Sequence, residues 1–176
     1  GFKAPGEEGH EDDFLMKRDK NPNTAGAMHI FGMDEKQGDL TPLIDRAKNG
    51  EFEGLFIFGR DLNSFGPGTL EAIRPKVKVL IFEGSNTNRT AQEADIVLPS
   101  AAYAEKDGTF TNFEGRVQRI RKAVDPLASS RPTWKILSDI GRILKWNADF
   151  RSPGQIFEEL ASKKKHFSSL NYNSVP

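Results

Sequence analysis

The sequence predicts an α/β fold built around a parallel sheet, and three apolar runs are the main evidence for it. The runs cover residues 55–58, 77–82 and 96–98. Continuous apolar runs of this length are typical of strands that are buried on both faces of a sheet. Because segments with helical spacing separate the runs, the connections should be right-handed crossovers between parallel neighbours.

Local signals place short helices around these strands. Thr41 followed by Pro42 predicts a helix start, and Asn49-Gly50 predicts its end. Further brief helices are expected over residues 69–74 and 87–94, the second one capped by Thr87. Each helix then lies directly before a strand, as a crossover requires.

After the third strand the pattern changes to a hairpin and two longer helices. Asp107-Gly108 favours a hairpin loop, and the residues up to 113 favour an extended segment that Gly115 interrupts. A helix starting near Thr133 is expected to bury a stripe that includes Trp134 and Leu137, at about 2–3 kcal/mol for each side chain. The other members of the stripe are Ile140 and Leu144.

Three regions follow from these patterns. Residues 1–35 form an irregular N-terminal arm that is too poor in apolar residues to order itself, so neighbouring domains or subunits should hold it. Residues 36–148 form the α/β domain. Residues 149–176 form a C-terminal helix, whose start is indicated by Ser152-Pro153, and a fraying tail.

Composition excludes several classes of function. Lys and Arg together number 25, as do Asp and Glu, so a nucleic-acid partner is not indicated. No stretch approaches the roughly 20 apolar residues of a membrane helix, which argues against direct membrane insertion. The sequence has no cysteine, so this chain carries no thiolate metal site and no cysteine-ligated iron–sulfur cluster.

Polar, glycine-bearing loops follow all three predicted strands, at residues 59–63, 83–87 and 99–105. Open parallel sheets bind ligands outside the carboxyl ends of their strands, so these loops are a candidate binding edge. The alternative is that the loops are polar only because they lie in water. No phosphate-loop, dinucleotide or nucleophile-elbow motif is present, and nothing places a base beside Glu105 and Asp107.

Three motifs carry a family resemblance. Residues 94–99 read ADIVLP, residues 105–109 read EKDGT, and residues 112–118 read NFEGRVQ, before a helix headed by Trp134. In this order the motifs resemble the molybdopterin oxidoreductase superfamily over residues 40–146, which implies a Rossmann-like parallel sheet. Within that superfamily the chain looks most like the large iron–sulfur subunit of respiratory complex I, and NAD-linked formate dehydrogenases are the nearest competitor.

The resemblance also implies candidate site residues. Residues 59–62 read GRDL where molybdenum enzymes of the family have a G-x-N-P loop, so Asp61 is expected to put a negative charge beside the cofactor's diphosphate. The resemblance therefore implies a vestigial pterin-dinucleotide pocket at Gly59, Arg60, Asp61, Asn63, Glu83 and Thr87. An interaction surface for partner subunits is implied at Glu105, Asn112, Arg116, Gln118, Arg119 and Arg121, with no catalytic or metal-binding residue.

Three functional hypotheses result. The first is a structural part of the large iron–sulfur subunit of an NADH:quinone oxidoreductase, which supports electron transfer without a redox centre or catalysis of its own. Its iron–sulfur clusters would lie elsewhere in the complex, its partners would be respiratory subunits, and it would be peripheral on the cytoplasmic or mitochondrial matrix side of the membrane. The second is a fragment of a bis-molybdopterin guanine dinucleotide oxidoreductase such as formate dehydrogenase, with molybdopterin as cofactor. The third is a free-standing nucleotide-binding module.

Overall fold

The computed structural model describes residues 23–32, 39–146 and 149–176. Within these residues the chain forms six α-helices and five strands, joined by turns and short 3₁₀ segments. The helices are α1 (Thr24–Phe31), α2 (Thr41–Lys48), α3 (Thr69–Ile73), α4 (Arg89–Gln92), α5 (Thr133–Ile143) and α6 (Pro153–Lys163). The strands are β1 (Gly54–Phe58), β2 (Val79–Gly84), β3 (Ile96–Pro99), β4 (Gly108–Thr111) and β5 (Val117–Ile120).

The three predicted strands form one parallel sheet in the order β1-β2-β3, which confirms the predicted fold class. Ile57 of β1 lies beside Phe82 of β2, and Phe82 lies beside Val97 of β3. The first face of the sheet, which carries Leu55, Ile57 and Leu80, packs against α2 and α3. Their contribution to this core is Ile44, Ala47, Leu70 and Ile73.

The strands are not buried on both faces, contrary to the prediction. Phe58 is 47% exposed and Ile96 is 46% exposed, and both side chains lie on the second face. The physical reason is that α2 and α3 cover the first face at β1 and β2 only, and Val97 of β3 on the same face is 49% exposed. On the second face, Thr133 at the start of α5 donates to the carboxylate of Glu83 at the carboxyl end of β2, whereas Phe58 at the end of β1 stays exposed.

The hairpin exists, but its turn is displaced from the predicted position. β4 and β5 are antiparallel, and Gly108 pairs with Ile120 inside the ladder instead of forming the loop. The chain reverses at residues 112–115, where the amide of Gly115 donates to the carbonyl of Asn112 at 2.9 Å. Gly115 has φ of +80°, a conformation that glycine adopts without a Cβ clash.

Helix α5 buries a different face from the predicted one. Ile136, Ser138 and Gly141 are buried, whereas Leu137 is 40% exposed and Trp134 is half-buried. The predicted burial of Leu137 was therefore wrong. Small side chains at positions 138 and 141 permit close approach to the rest of the molecule, and apolar periodicity alone cannot detect this feature.

Two further details correct the local predictions. Asn88, and not Thr87, caps α4, because its side-chain oxygen accepts from the amide of Ala91 at 2.9 Å. The segment after α6 is not a fraying tail. It buries Phe167, Tyr172 and Val175 in a second core together with Val117 and Phe157. Burial of these apolar side chains stabilises the segment, although most residues between them are polar.

The predicted arm is only partly within the described residues, since residues 1–22 and 33–38 lie outside them. Its described portion includes α1, a helix that the sequence analysis did not predict. A tertiary contact anchors this helix: Asn23 Oδ1 accepts from the amide of Thr111 in β4 at 2.8 Å. Within the described ranges, none of the helices has the length and apolarity needed to cross a membrane.

Candidate functional site

The candidate binding edge lies where β1 and β2 end. The amide of Gly59 donates to the carbonyl of Glu83 at 2.6 Å, which brings the two strand tips together. A Cβ atom on Gly84 would lie 2.7 Å from the ring of Phe82 and 3.4 Å from the Cα of Gly59. The position that a Cβ would take on Gly59 meets no atom within 4 Å. Gly59 therefore leaves open space at the strand tip, whereas Gly84 allows the Phe82 ring and the backbone of Gly59 to pack closely against it.

Asp61 faces the interior of this edge. Its carboxylate accepts from the amides of Asn63 (3.0 Å) and Arg89 (3.2 Å) and from Thr90 Oγ1 (3.1 Å). Thr90 Oγ1 in turn accepts from the amide of Leu62 at 2.8 Å. Asp61 thus ties the loop after β1 to the first turn of α4.

Two other predicted side chains also serve the fold. Asn63 Oδ1 accepts from the amide of Leu70 at 2.9 Å and so holds the start of α3. The buried carboxylate of Glu83 accepts from Thr133 Oγ1 at 2.7 Å and so holds the start of α5. Both side-chain oxygens therefore accept hydrogen bonds from within the protein.

The remaining predicted residues are better placed for contact with a ligand. Thr87 is exposed, and the guanidinium carbon of Arg60 lies 5.8 Å from the centre of the Phe65 ring. Ser85 and Asn86, which lie in the predicted binding loop 83–87 but were not named as pocket residues, are exposed beside Thr87. The sequence indicates both residues as candidates for a binding loop, because they follow Gly84 directly after a predicted strand.

The proposed interaction surface on the hairpin divides into two sets. Glu105 accepts from the amide of Ala102 at 2.9 Å, Asn112 accepts from the amides of Glu114 and Arg116 and builds the turn, and the guanidinium of Arg119 covers the Tyr172 ring at 4.3 Å. Glu105 therefore stabilises the turn before β4, Asn112 stabilises the hairpin turn, and Arg119 ties β5 to the C-terminal segment. The side chains that are exposed and available to a partner are Arg116, Gln118 and Arg121.

Metal chemistry has no candidate ligands in the part of the chain that the structure describes. No group of three or more His, Asp or Glu side chains converges there, and the sequence contains no cysteine. What the edge offers is glycine backbone and small polar side chains. This set fits the sugar–phosphate part of a nucleotide-bearing cofactor and does not fit a metal centre.

The sequence profile of one family, molybdopterin oxidoreductase, matches residues 19–143. The chain belongs to the molybdopterin oxidoreductase family. The family resemblance drawn from the ADIVLP, EKDGT and NFEGRVQ motifs is thereby confirmed. Membership implies a molybdopterin cofactor in the whole protein.

Several curated relatives of this molybdopterin oxidoreductase chain carry the name "Putative formate dehydrogenase". One, from Staphylococcus haemolyticus, is 33% identical over 139 residues, which are 78% of this chain and 14% of the relative. Another, from Staphylococcus aureus, is 31% identical over 139 residues, with the same coverage of 78% and 14%. The chain therefore spans about a seventh of these relatives. They favour the formate dehydrogenase hypothesis over the complex I hypothesis, which they do not support.

A solved structure agrees with the fold. Acetylene hydratase from Pelobacter acetylenicus superimposes with a TM-score of 0.56 at 15% sequence identity, over 76% of this chain and 19% of that chain. At this identity the likeness concerns the fold alone. It supports the parallel α/β architecture of the molybdopterin oxidoreductase chain.

Proposed function

We propose that this chain is the part of a formate dehydrogenase-like molybdopterin oxidoreductase that holds the nucleotide end of the cofactor. The observation that carries the proposal is the pair of glycines, Gly59 and Gly84, at the adjoining strand tips. Gly59 leaves open space where a phosphate or ribose can approach closely, and Gly84 allows the two strand tips to lie side by side. The names of the relatives support formate as the substrate of the whole protein.

Individual roles follow from the geometry. Backbone at Gly59 and side chains of the loop 85–87 would bind the polar nucleotide end, and Arg60 would supply positive charge. Asp61 and Glu83 would position these loops through their bonds to Thr90 and Thr133. The bound cofactor would supply the electron-transfer chemistry, and its metal ligand would come from outside the described residues.

Metal content tests the proposal in the full-length protein. Molybdenum or tungsten should be present at about one atom per chain, together with formate-dependent reduction of an electron acceptor. Iron without either metal, and no oxidation of formate, would instead favour the complex I-type hypothesis. Under that hypothesis the chain would be a structural support on the inner side of an energy-transducing membrane.

A pair of glycine variants tests the site itself. Gly59→Val fills the open space above the strand tip and should lower the bound pterin and metal severalfold. Gly50→Val is the matched control, because Gly50 also has positive φ (+78° against +64°) but lies between α2 and β1, at the opposite edge of the sheet. Equal loss of cofactor in both variants would indicate backbone strain and would contradict a binding role for Gly59.

A further inference from the structure

A polar cavity of about 370 Å³ lies between the β4–β5 hairpin, the first turn of α6 and the segment that follows α6. Arg119 of β5 and Tyr172 of the last segment line it, together with Ser152 and Gly154 at the start of α6. None of its described lining residues belongs to the parallel sheet or to the loops at the tips of its strands. The cavity is therefore separate from the candidate binding edge, and its volume suits a small molecule.

Two buried polar atoms at this cavity have no hydrogen-bond partner among the described residues. They are the hydroxyl oxygen of Tyr172, a residue that is only 7% exposed, and Nε of Arg119. The guanidinium carbon of Arg119 lies 4.3 Å from the centre of the Tyr172 ring, so the two groups are held side by side. Buried polar groups are normally paired, because an unpaired one loses its bonds to water without compensation. A ligand that accepts from both groups would recover this cost.

Positive charge and a helix end add to these two donors. Arg119 is a cation, and the cavity is lined by the first turn of α6, a helix of 11 residues whose N-terminus carries partial positive charge. A Cβ atom on Gly154 would lie 3.3 Å from the Tyr172 ring, so glycine allows the ring to lie against the helix start. This side of the cavity favours an anionic group, and a planar carboxylate suits a guanidinium best.

The opposite charge lines the exposed side of the cavity. Asp107 and Glu158 both line it and are both exposed. Asp107 accepts from the amide of Lys122 at 3.3 Å, while the ammonium group of Lys122 pairs with Asp125. These carboxylates would repel a dianion such as phosphate and would attract an ammonium group. The charges therefore fit a ligand that carries a carboxylate at one end and an ammonium group at the other.

We propose that this cavity binds a small zwitterion of the amino-acid type. Its carboxylate would accept from Arg119 Nε and from the Tyr172 hydroxyl, and its ammonium group would face Asp107 and Glu158. Binding would join the hairpin, α6 and the segment after α6, because each of them supplies at least one of these groups. The proposed function places the cofactor at the tips of β1 and β2, so the two proposals concern different sites.

Calorimetric titration of the full-length protein tests the site. The probes are the common amino acids, added one at a time, with acetate as the carboxylate-only control and ethylamine as the ammonium-only control. At least one amino acid should bind about tenfold more tightly than either control, since only the zwitterion contacts both ends of the cavity. Absence of binding by every amino acid would overturn the proposal, and so would acetate binding as tightly as the best amino acid.

Three variants locate the binding. Tyr172→Phe removes only the unpaired hydroxyl and should weaken binding of the amino acid about tenfold. Tyr103→Phe is the matched control and should leave the affinity unchanged, because Tyr103 is 73% exposed and lies outside the cavity. Glu158→Gln should weaken binding of the amino acid without weakening that of acetate. An unchanged affinity in Tyr172→Phe or in Glu158→Gln would contradict the proposed site.

Thermal unfolding without added ligand gives an independent readout. Tyr172→Phe should keep the midpoint of the full-length protein, because the hydroxyl has no partner in the described part of the fold. A lower midpoint would mean that the fold itself uses the hydroxyl and would overturn the proposal. None of these measurements depends on molybdenum, pterin or formate oxidation, so the zwitterion site can fail while the proposed function stands, and the reverse.

Discussion

Asp61 is the residue that does most to shape the candidate edge. One carboxylate joins the loop after β1 to the start of α4 by accepting from two amides and the hydroxyl of Thr90. Carboxylates that accept several bonds are held firmly in place, because each part-buried donor would otherwise lose its partner. Asp61 therefore acts on a ligand through the loops that it positions.

Replacing Asp61 should destabilise the protein measurably. Asp61→Ala leaves three donors without their acceptor and should lower the free energy of unfolding by about 1–3 kcal/mol in urea denaturation. Asp45→Ala is the control, because this exposed carboxylate lies 4.0 Å from Lys48 Nζ and should contribute less than about 0.5 kcal/mol. If the two variants were equally stable, Asp61 would have no positioning role.

A stacked histidine pair joins α1 to the segment after α6. The rings of His29 and His166 have centroids 3.6 Å apart and planes within 9°, and His166 Nε2 donates to the carbonyl of Gly115 at 3.0 Å. The His29 side chain is largely exposed, and its partial loss of contact with water lowers its pKa below the ordinary value of 6.5. The neighbouring charge of His166 lowers that pKa further. The contact therefore favours a neutral His29.

Stability should consequently fall with acidification. Since the pKa of His29 is lowered in the folded state, the unfolded chain binds the proton more readily, and the associated stability is present above pH 6.5 and is lost as pH falls through the folded-state pKa. The urea midpoint should drop between pH 7.5 and 5.5, and the drop should be smaller in His29→Gln. An NMR titration in which His29 keeps its ordinary pKa would contradict this explanation.

At the scale of elements, α5 shows how packing selects one face among several apolar ones. Ile136 is buried, and its neighbour Leu137 is substantially exposed, although both suit an amphipathic helix. Thr133 fixes the rotation of the helix by its bond to the buried Glu83. That bond and the small residues Ser138 and Gly141 determine which side chains enter the core.

Two adjacent truncations on α5 should have very different effects. Ile136→Ala should lower the free energy of unfolding by about 2–5 kcal/mol, since it leaves a cavity in a buried site. Leu137→Ala should lower it by less than about 1 kcal/mol in the 176-residue chain, because the side chain is already partly in water. Chemical denaturation of both variants checks the prediction. A larger loss of stability in Leu137→Ala than in Ile136→Ala would support the buried face that the sequence predicted.

At the scale of the whole molecule, the described residues have two hydrophobic clusters. The first joins α2, α3 and the parallel sheet, and the second joins β5, α6 and the segment that follows α6. Phe167, Tyr172 and Val175 supply most of the second cluster from the last ten residues. The C-terminal segment is therefore part of the fold.

Removal of the last ten residues should release the second cluster. A chain ending at His166 loses Phe167, Tyr172 and Val175, so α6 and the β4–β5 hairpin should lose hydrogen-exchange protection while β1 to β3 retain it. Ser169→Ala, on the exposed surface of the same segment, is the control and should leave protection unchanged. Unchanged protection in the truncated chain would support a fraying tail after all.

Some features of the candidate site follow from local sequence, and others depend on contacts between residues far apart in the chain. Glycines after apolar strands are local signals, and they located the edge at Gly59 and the loop after Glu83. The direction of each side chain is not local, since Asp61 turns toward Thr90, which is 29 residues away in sequence. The assigned cofactor-binding and interaction roles remain predictions, because no ligand or partner contact tests them.

By itself, the sequence determined the parallel order of three apolar strands, the crossover helices and the family motifs, because each follows from short-range periodicity or turn chemistry. Only the tertiary structure decided which face of α5 is buried, where the hairpin turns and why the C-terminal segment is ordered. Those outcomes depend on contacts between residues far apart in the chain, such as Thr133 with Glu83 and Asn23 with Thr111. Burial at such contacts outweighs the local preference of any one segment.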